Sequence, residues 1–433
     1  MTVCVIGAGI SGLTMTKILL DYGIEVDTYE SSDRIGGNWA FGNPNGHSSA
    51  YRSLHIDTSR EMLRFRDFPM PDAYPDFPHH TEIKAYLEEY AAAFSLKQHI
   101  RFETGVEHCE RRPSGGWEVR LAGGEERTYD FLAVCNGHHW NPRMPDFPGT
   151  FDGDAIHSHN YIDPSEPLDL RGRRILVVGI GNSASDIASE LSQKSYGNTT
   201  FISTRSGAWV VPKYLFGRPV DQLVRTNPRL PLKLQRVLGR PMAKLVSGDP
   251  RKYGLPTPNH HFLDAHPTVS SELLLRLGSG DLTAKPNVSS LDGSVVRFED
   301  GSAEEIDAIV YATGYDISFP FFDPDFISAP DNRIGLYKRV FHPDYGDVAF
   351  IGFAQAIPTL FPFVECQAGL VARYLAGTYR LPPPDEMRRV IAADDAKFTG
   401  HFVDSARHRQ QLDYHVYEHE LRTREIPAGR ARP

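Results

Sequence analysis

The chain has 433 residues, a net charge of −9, an apolar content of 40% and a charged content of 23%. This length predicts two or three domains with a large buried core, and the composition is typical of a globular protein. The acidic balance argues against a nucleic-acid partner, because the sequence offers no basic face that could neutralise phosphates.

The first 30 residues combine an apolar strand, a glycine turn, a helix and a second strand that ends in an acid. In the turn Gly7-Ala8-Gly9-Ile10-Ser11-Gly12, the first glycine permits a tight bend and the second lets the backbone approach a pyrophosphate. The third glycine lets the helix pack close to the strand. The free N–H groups and the dipole of the helix start hold phosphates, and Glu30 can accept hydrogen bonds from an adenosine ribose. We interpret this unit as a dinucleotide site, because a merely flexible loop would not need the strand, the helix and the acid together.

The segment between this unit and residue 140 predicts mixed structure. A second glycine turn, Gly36-Gly37-Asn38-Trp39, would let the backbone pass close to the rest of a long cofactor. Residues 43–80 have little periodicity and predict an ordered loop, whereas apolar residues at helical spacing predict a helix from Thr81. Short strands follow, ending in Phe131 to Cys135.

A second unit of the same kind follows a proline-rich joint between Pro142 and Pro167. Arg174 to Val178 predicts a strand, Gly179-Ile180-Gly181-Asn182-Ser183-Ala184 a glycine turn, and Thr199 to Ser203 the next strand. This last strand leads into Arg205 instead of an acid. A guanidinium pairs with a 2′-phosphate that a carboxylate would repel, so the second unit predicts an NADP(H) site. The alternative is a surface arginine beside a structural turn.

The rest of the chain completes the predicted fold. A strand from Ile306 to Tyr311 leads into Ala312-Thr313-Gly314-Tyr315, and a strand at 348–352 precedes a helix from Val364. We predict an α/β fold with two Rossmann-like dinucleotide-binding domains, the NADP domain being inserted into the FAD domain. The predicted limits are 1–166 and 281–433 for the FAD domain and 167–280 for the NADP domain. The arginines after residue 420 predict a frayed tail.

Cysteine, histidine and hydropathy patterns exclude several other classes. The four cysteines show no CxxC spacing, which argues against a zinc knuckle and a redox-active dithiol. Adjacent histidines point apart on any regular element, and we predict no metal site at His79-His80, His138-His139 or His260-His261. No apolar run approaches the roughly 18 residues of a membrane span, and no signal-peptide pattern begins the chain. We therefore predict a cytoplasmic protein without a membrane partner.

At this point the chain resembles the flavin-containing monooxygenases over roughly residues 1–380. Between its two glycine turns that family carries a spaced motif that Phe151, Gly153, His157 and Tyr161 match at every position. Baeyer–Villiger monooxygenases have a tryptophan in place of Tyr161, so the chain is similar to the branch that oxygenates nitrogen and sulfur. Further matches are GGNW at 36–39, VCNGHH at 134–139, the run at 179–188, STRSGAW at 203–209 and ATGY at 312–315.

The resemblance implies a reaction in which the flavin carries the chemistry. NADPH reduces FAD, the oxidised NADP stays bound, and oxygen adds to the flavin as a hydroperoxide that oxygenates an amine nitrogen or a sulfide sulfur of a small molecule. The protein positions the rings, excludes water and holds the intermediate by hydrogen bonds, without an acid or nucleophile of its own. The substrate is not readable from segments 209–270 and 316–335, and the oligomeric state stays open, a homodimer being one option.

The resemblance also implies which residues contact the two cofactors. For FAD they are Gly7, Gly9, Ile10, Ser11, Gly12, Glu30, Gly37, Asn38, Trp39, His55, Asp57, Thr58, Val106, Asn136, Gly137 and Gln367. For NADP they are Tyr51, Gly179, Gly181, Asn182, Ser183, Asp186, Arg205, Ser206, Ala312, Thr313, Gly314 and Tyr315.

One departure from the family concerns a catalytic position. The family usually places an asparagine where this chain has Asp57. An ionised carboxylate accepts hydrogen bonds but cannot donate them, and it adds negative charge beside a peroxide. Either burial keeps Asp57 protonated, or more NADPH is wasted as hydrogen peroxide. A third interpretation is that Asp57 only caps a local turn.

Several alternatives remain at the level of the sequence. His157 favours a structural role, because its motif lies between the domains and not in a glycine turn. The aromatic clusters at 214–216, 319–322 and 361–363 favour core packing over a substrate cavity. Three rival functions are a Baeyer–Villiger oxygenase, disfavoured by Tyr161, an NADPH oxidase or reductase with little oxygen transfer, and a flavin-based redox sensor.

Overall fold

The computed structural model describes residues 1–223, 226–230, 234–235, 246, 248–258, 267–398 and 411–431. The helices within these ranges are α1 (Ile10–Asp21), α2 (Arg60–Leu63), α3 (His80–Ala93), α4 (Asn182–Leu191), α5 (Val220–Leu223), α6 (Leu273–Gly278), α7 (Phe361–Leu375), α8 (Pro384–Phe398), α9 (Tyr414–Glu420) and α10 (Ile426–Ala428). The strands are β1 (Thr2–Ile6), β2 (Glu25–Tyr29), β3 (Ile100–Arg101), β4 (Val106–Arg111), β5 (Trp117–Leu121), β6 (Glu126–Tyr129), β7 (Phe131–Val134), β8 (Gly149–Phe151), β9 (Asp154–His157), β10 (Arg174–Val178), β11 (Thr199–Ser203), β12 (Val210–Val211), β13 (Tyr214–Leu215), β14 (Arg218–Pro219), β15 (Thr268–Val269), β16 (Leu282–Lys285), β17 (Val288–Gly293), β18 (Val295–Phe298), β19 (Ala303–Glu305), β20 (Ala308–Tyr311), β21 (Val348–Phe350), β22 (Gln355–Ile357) and β23 (Gln411–Asp413).

The first glycine turn lies at the centre of a five-stranded parallel sheet in the order β21-β7-β1-β2-β3. β1 and β7 are buried almost completely, as expected for strands that are covered on both faces. One face packs against α1 and α7, which bring apolar side chains such as Met15 and Val371 into the same core. This arrangement holds the start of α1 beside the carboxyl ends of the strands.

The second glycine turn occupies the same place in a second five-stranded parallel sheet, in the order β16-β11-β10-β20-β9. This sheet is formed entirely from segments that lie between β7 and β21 in the sequence. The predicted α/β class is therefore confirmed, with one Rossmann-like unit inserted into the other.

Strand pairing does not follow the predicted domain limits. β9 and β16–β20 belong to the sheets of the second unit, although the limits at 166 and 280 assign them to the first. β8, within the same stretch, pairs with β17. The physical reason is that strand pairing, and not position along the sequence, determines which sheet a strand joins. The proline-rich joint contains two strands, β8 and β9, that pair with strands of the second unit. We propose revised limits of about 149–315 for the second unit.

The C-terminal segment is part of the core, so the predicted frayed tail is wrong. β23 pairs with β22, and Leu412, Val416 and Leu421 are buried against α7. Glu425 accepts hydrogen bonds from Tyr337 and Tyr379. Arg422 and Arg424, two of the arginines that suggested disorder, are exposed on this helical segment, and Arg432 lies outside the described residues.

No helix in the described part of the chain is long and apolar enough to cross a membrane.

Candidate cofactor sites

The first glycine turn has the close packing that its sequence predicts. Gly7 adopts φ 99°, and a Cβ there would lie 2.8 Å from the carbonyl oxygen of Cys135. A Cβ on Gly12 would lie 1.7 Å from the carbonyl oxygen of Gly7, a distance no side chain tolerates. Gly9 is the N-cap of α1, so the free N–H groups at the beginning of this helix lie in the turn. The turn therefore offers a preformed anion site.

Glu30 lies at the end of β2, beside that helix start. Its carboxylate accepts hydrogen bonds from the N–H of Ala8 at 2.7 Å and from the N–H of Ser32 at 2.9 Å. The side chain is buried, and burial raises its pKa despite these two donors. Oε1 also accepts longer hydrogen bonds from Ser31 Oγ and Asn45 Nδ2, both at 3.4 Å, whereas Oε2, bonded to Ala8, keeps a further lone pair. The acid is therefore fixed in position, with acceptor capacity left for a ribose hydroxyl.

The GGNW turn lies against the first turn, as the cofactor interpretation requires. A Cβ on Gly37 would lie 3.0 Å from the Cα of Gly9. The Asn38 side chain is oriented by the backbone N–H and the hydroxyl of Ser49, at 2.9 and 2.7 Å. Trp39 packs on the apolar cluster around α3.

Asp57 is joined to the second unit by an ion pair. Its carboxylate lies 3.2 Å from Nζ of Lys213, and the two side chains are 20% and 19% exposed. The same Nζ donates to the carbonyl oxygen of Ile56 at 3.2 Å. The next residue, Thr58, donates its hydroxyl hydrogen to the carbonyl oxygen of Pro358 at 2.9 Å. An ammonium at this distance stabilises negative charge on the carboxylate.

The second glycine turn repeats the geometry of the first. Gly179 adopts φ 134°, and a Cβ there would lie 2.4 Å from the carbonyl oxygen of Ala312. Gly181 is the N-cap of α4. The side chain of Asn182 accepts a hydrogen bond from the N–H of Val269 at 3.1 Å, so it fixes the turn to β15. Ser183 lies in the first turn of the same helix.

Arg205 follows β11 and is exposed, and no ion pair holds it among the residues that the structure describes. The turn around it is fixed by Thr204, whose hydroxyl donates to the carbonyl oxygen of Ser206 at 2.6 Å. The guanidinium is thus available for an anionic group beside the second glycine turn.

The ATGY segment connects the second sheet to the chain that leaves β7. Thr313 donates its hydroxyl hydrogen to the carbonyl oxygen of Arg143 at 2.5 Å, and the N–H of Arg143 donates to the carbonyl oxygen of Gly314 at 2.9 Å. Tyr315 lies among the rings of His139, His157 and His159, with centroid distances of 5.3 to 5.7 Å.

His157 contributes to packing at this joint. Burial lowers its pKa to about 4, so the ring is neutral at pH 7. Nδ1 accepts the N–H of His159 at 3.1 Å, and β9 pairs with β20. Gly153 of the same motif is equally constrained, since a Cβ there would lie 2.5 Å from the carbonyl oxygen of Asp307. These contacts support the predicted structural role.

Two buried tyrosines connect the predicted cofactor residues to α4. The hydroxyl of Tyr51 donates to Asp186 at 2.6 Å, and the hydroxyl of Tyr161 donates to Glu190 at 2.8 Å. Burial, together with the charge of Asp57, raises the pKa of Asp186 to about 7. The hydrogen bond between Tyr51 and Asp186 thus joins the first unit to the second.

Other predicted FAD residues are engaged in protein contacts. Gln367 is fully buried; it accepts the N–H of Gly352 and donates to the carbonyl oxygen of Arg339. Asn136 donates to the carbonyl oxygen of Ser318 at 3.0 Å. These two side chains orient the strand ends around the first turn. Gly137 follows with φ 68°, Val106 is half-buried in β4, and His55 is exposed beside the ring of His79.

Sequence reasoning missed three side chains or close approaches at these sites. Lys213 lies 156 positions from its partner, and no spacing rule connects the two. Gly352 lies so close to α1 that a Cβ would be 2.2 Å from Oγ of Ser11. Its place directly after a buried strand was the available signal. Arg143, whose backbone bonds Thr313 and Gly314, lies in the proline-rich joint, and no sequence signal marked it.

The aromatic clusters divide into core and surface. The rings at 319–322 and 361–363 are buried, which confirms the expectation of core packing. The third cluster forms the hairpin β13–β14, and Phe216 at its tip is 86% exposed. All four cysteines are free and buried. The described residues contain no group of three or more potential metal ligands, and His260-His261 lies outside them.

Two parallel sheets, each with a glycine turn at the start of a helix, define an α/β protein with two dinucleotide sites. The chain belongs to the flavin-binding monooxygenase-like family, whose model matches residues 1–428. It is therefore an oxidoreductase of the flavoprotein monooxygenase class, as the sequence predicted.

Individual relatives agree with this assignment. The chain is 38% identical over 443 residues to dimethylaniline monooxygenase [N-oxide-forming] 2 of Rattus norvegicus, covering 97% of this chain and 81% of the relative. It is 37% identical over 436 residues to flavin-containing monooxygenase 5 of Homo sapiens, covering 95% and 80%.

Solved structures share the fold. S-allyl-L-cysteine S-oxygenase from Allium sativum superposes with a TM-score of 0.73 at 25% identity, covering 98% of this chain and 88% of that one. Steroid monooxygenase, solved in its oxidised form bound to NADP, gives a TM-score of 0.73 at 18% identity over 99% and 98%.

Proposed function

We propose that this protein is an NADPH-dependent FAD monooxygenase that oxygenates a soft nucleophile, an amine nitrogen or a sulfide sulfur, of a small molecule. The observation that carries the proposal is that the two glycine-turn units differ in the residue after their second strand. The first unit has a buried carboxylate after β2, and the second has an exposed guanidinium after β11. The relatives named for N-oxide formation and for S-oxygenation support the substrate class.

The residues present fit both cofactors. A Cβ at Gly7, Gly12 or Gly179 would collide with backbone, and both helix starts are free to bind phosphate. Glu30 is preorganised to accept from a ribose, and Arg205 is free to pair with a 2′-phosphate. We therefore assign FAD to the first unit and NADP to the second, with the contact residues predicted from the sequence.

When bound, reduced FAD supplies the electrons that activate molecular oxygen. The protein then has to hold the cofactors, orient them and exclude water from the reacting edge. Asn38 and Thr58 are held by hydrogen bonds to neighbouring segments, and the ATGY segment joins the two units. Rigid elements of this kind are what a preorganised site requires.

The proposal is tested with purified protein, NADPH, oxygen and a matched set of substrates. The set holds one tertiary amine, one dialkyl sulfide and one cyclic ketone. We expect an N-oxide or a sulfoxide, with NADPH consumed in proportion to product. A lactone from the ketone would instead indicate Baeyer–Villiger activity, and NADPH consumed only to hydrogen peroxide would indicate an oxidase. A bound flavin that NADPH does not reduce would indicate a sensor.

A cytoplasmic location and a homodimer stay predictions. Fractionation of the producing cells and size-exclusion chromatography with light scattering would test them.

A further inference from the structure

The loop at residues 56–59 belongs to the first unit but is held by a segment of the second. Lys213 contacts both Ile56 and Asp57, and two residues of α5 contact Ser59. The carboxylate of Asp221 accepts the N–H of Ser59 at 2.6 Å. We call residues 213–222 the arm.

Aromatic contacts join the arm to the first unit at a second place. Tyr214 donates to Asp76 at 3.0 Å and packs edge-on against Phe77, with ring centroids 5.3 Å apart. Nζ of Lys213 lies 5.2 Å from the centre of the same Phe77 ring. The ammonium is thus placed between an aromatic face and a carboxylate, with little access to water.

Three carboxylates share this junction with the ammonium. Asp57, Asp186 and Asp221 all lie here, burial raises the pKa of Asp186 and of Asp221, and Lys213 is a cation that the structure places against Asp57. Removing one partner of a buried ion pair leaves an uncompensated charge, which costs far more than removing both partners. The contributions of the carboxylate and the ammonium to stability should therefore be coupled.

We propose that Lys213 is a positioning residue of the flavin site, which holds the Asp57 loop against the second unit and balances the charge of Asp57. This inference rests on the proposed function for its effect on catalysis, but the coupling of the two side chains does not depend on it. The pair supplies a hydrogen-bond acceptor from Asp57 and a donor from Lys213 at one place. It thereby lets a carboxylate occupy a position beside the cofactor.

The test is a double-mutant cycle with Lys213→Met, Asp57→Asn and the double variant. The first readout is the midpoint of thermal unfolding. We expect Lys213→Met to lower the midpoint by several degrees and the double variant to recover most of the loss. Additive losses would overturn the proposal, because they would show that the two side chains do not act together.

The second readout is the initial rate of hydrogen peroxide formation from NADPH and oxygen in the absence of substrate. We expect Lys213→Met to raise the initial rate of peroxide formation several-fold, Lys213→Arg to stay near wild type, and the double variant to fall back to within about twofold of Asp57→Asn. A loss of stability in Lys213→Met with an unchanged rate of peroxide formation would show a merely structural role and overturn the proposal.

A matched control is the pair Lys338–Asp394, 3.0 Å apart with side chains 15% and 20% exposed. Lys338→Met and Asp394→Asn should show a similar unfolding cycle with no change in peroxide formation. If the control pair changed peroxide formation equally, the effect would reflect general destabilisation, and the proposal would fail. Absence of oxygenated product together with a coupled unfolding cycle would contradict the proposed function alone.

Discussion

We propose that the cofactor preference of the second unit depends on Arg205. Its side chain is exposed beside the turn that starts α4, so it is free to pair with a 2′-phosphate through two parallel hydrogen bonds. The backbone N–H groups at the start of α4 bind phosphate but do not distinguish NADPH from NADH.

We expect Arg205→Gln to raise KM for NADPH about tenfold, equivalent to about 1.4 kcal/mol, and to leave KM for NADH within about twofold. Steady-state kinetics with both nucleotides measures this. Arg218→Gln, an exposed arginine in the hairpin, serves as the control and should change neither constant. An equal rise for both nucleotides would show that Arg205 does not read the 2′-phosphate.

The burial of Asp186 predicts a pH dependence of stability. Burial raises its pKa from the ordinary 3.8 to about 7. An acid whose pKa is raised in the folded state binds its proton more tightly there than in the unfolded chain. Its favourable contribution is complete below about pH 4 and is lost as the pH rises towards 7.

We therefore expect Asp186→Asn to remove part of the fall in stability that wild type shows between pH 5 and pH 8. The difference in the free energy of unfolding between the two proteins should change by about 1–3 kcal/mol over this range. Urea unfolding at both pH values measures it. Asn keeps an acceptor for Tyr51, whose bond is part of the same site. Parallel pH profiles would contradict the assignment.

At the scale of elements, the turn after β21 approaches the start of α1 closely. Gly352 adopts φ 86° and lies against α1, where a Cβ would be 2.2 Å from Oγ of Ser11. Gly301 adopts φ 82°, but a Cβ on it would have no atom within 4 Å. Both glycines have a positive φ, and they differ in that only Gly352 lies close to another residue, Ser11.

We expect Gly301→Ala to cost about 1 kcal/mol, as is usual for a positive φ. Gly352→Ala should cost more and should lower the fraction of protein purified with FAD, because the added methyl group would collide with the Ser11 hydroxyl and force it to move at the start of α1. Absorbance at the flavin band relative to protein, together with thermal unfolding, distinguishes the two variants. Equal FAD retention would show that this close approach does not shape the site.

At the scale of the whole molecule, the C-terminal segment closes the first core. Leu412, Val416 and Leu421 are buried in the cluster that also contains α7. A chain ending at residue 410 should therefore expose this core, and we expect it to aggregate or to unfold many degrees below wild type. Arg422→Gln with Arg424→Gln, which are 67% and 79% exposed, is the control and should leave the unfolding midpoint unchanged. A stable truncated protein would contradict this account.

The sequence by itself predicted the two glycine-turn units, which the structure confirms, and a cofactor preference for each unit, which stays a prediction. Strand, turn, helix and terminal charge lie within about 30 residues of one another, and local spacing fixes such units because the glycines are required by backbone contact. The observed β1, α1 and β2 are the strand, the helix and the second strand that the sequence predicted around the first glycine turn. The structural role of His157 followed from its place between the units.

Only the tertiary structure decided what surrounds Asp57 and where the second unit ends. Lys213, which forms an ion pair with Asp57, is 156 positions away from it, and nothing in the spacing of the sequence marks this contact. The limits of the second unit depend on parallel pairing of β9 and β20, which residue patterns do not encode. Contacts of this kind arise when segments distant in the sequence are packed together, so periodicity and motif spacing carry no record of them.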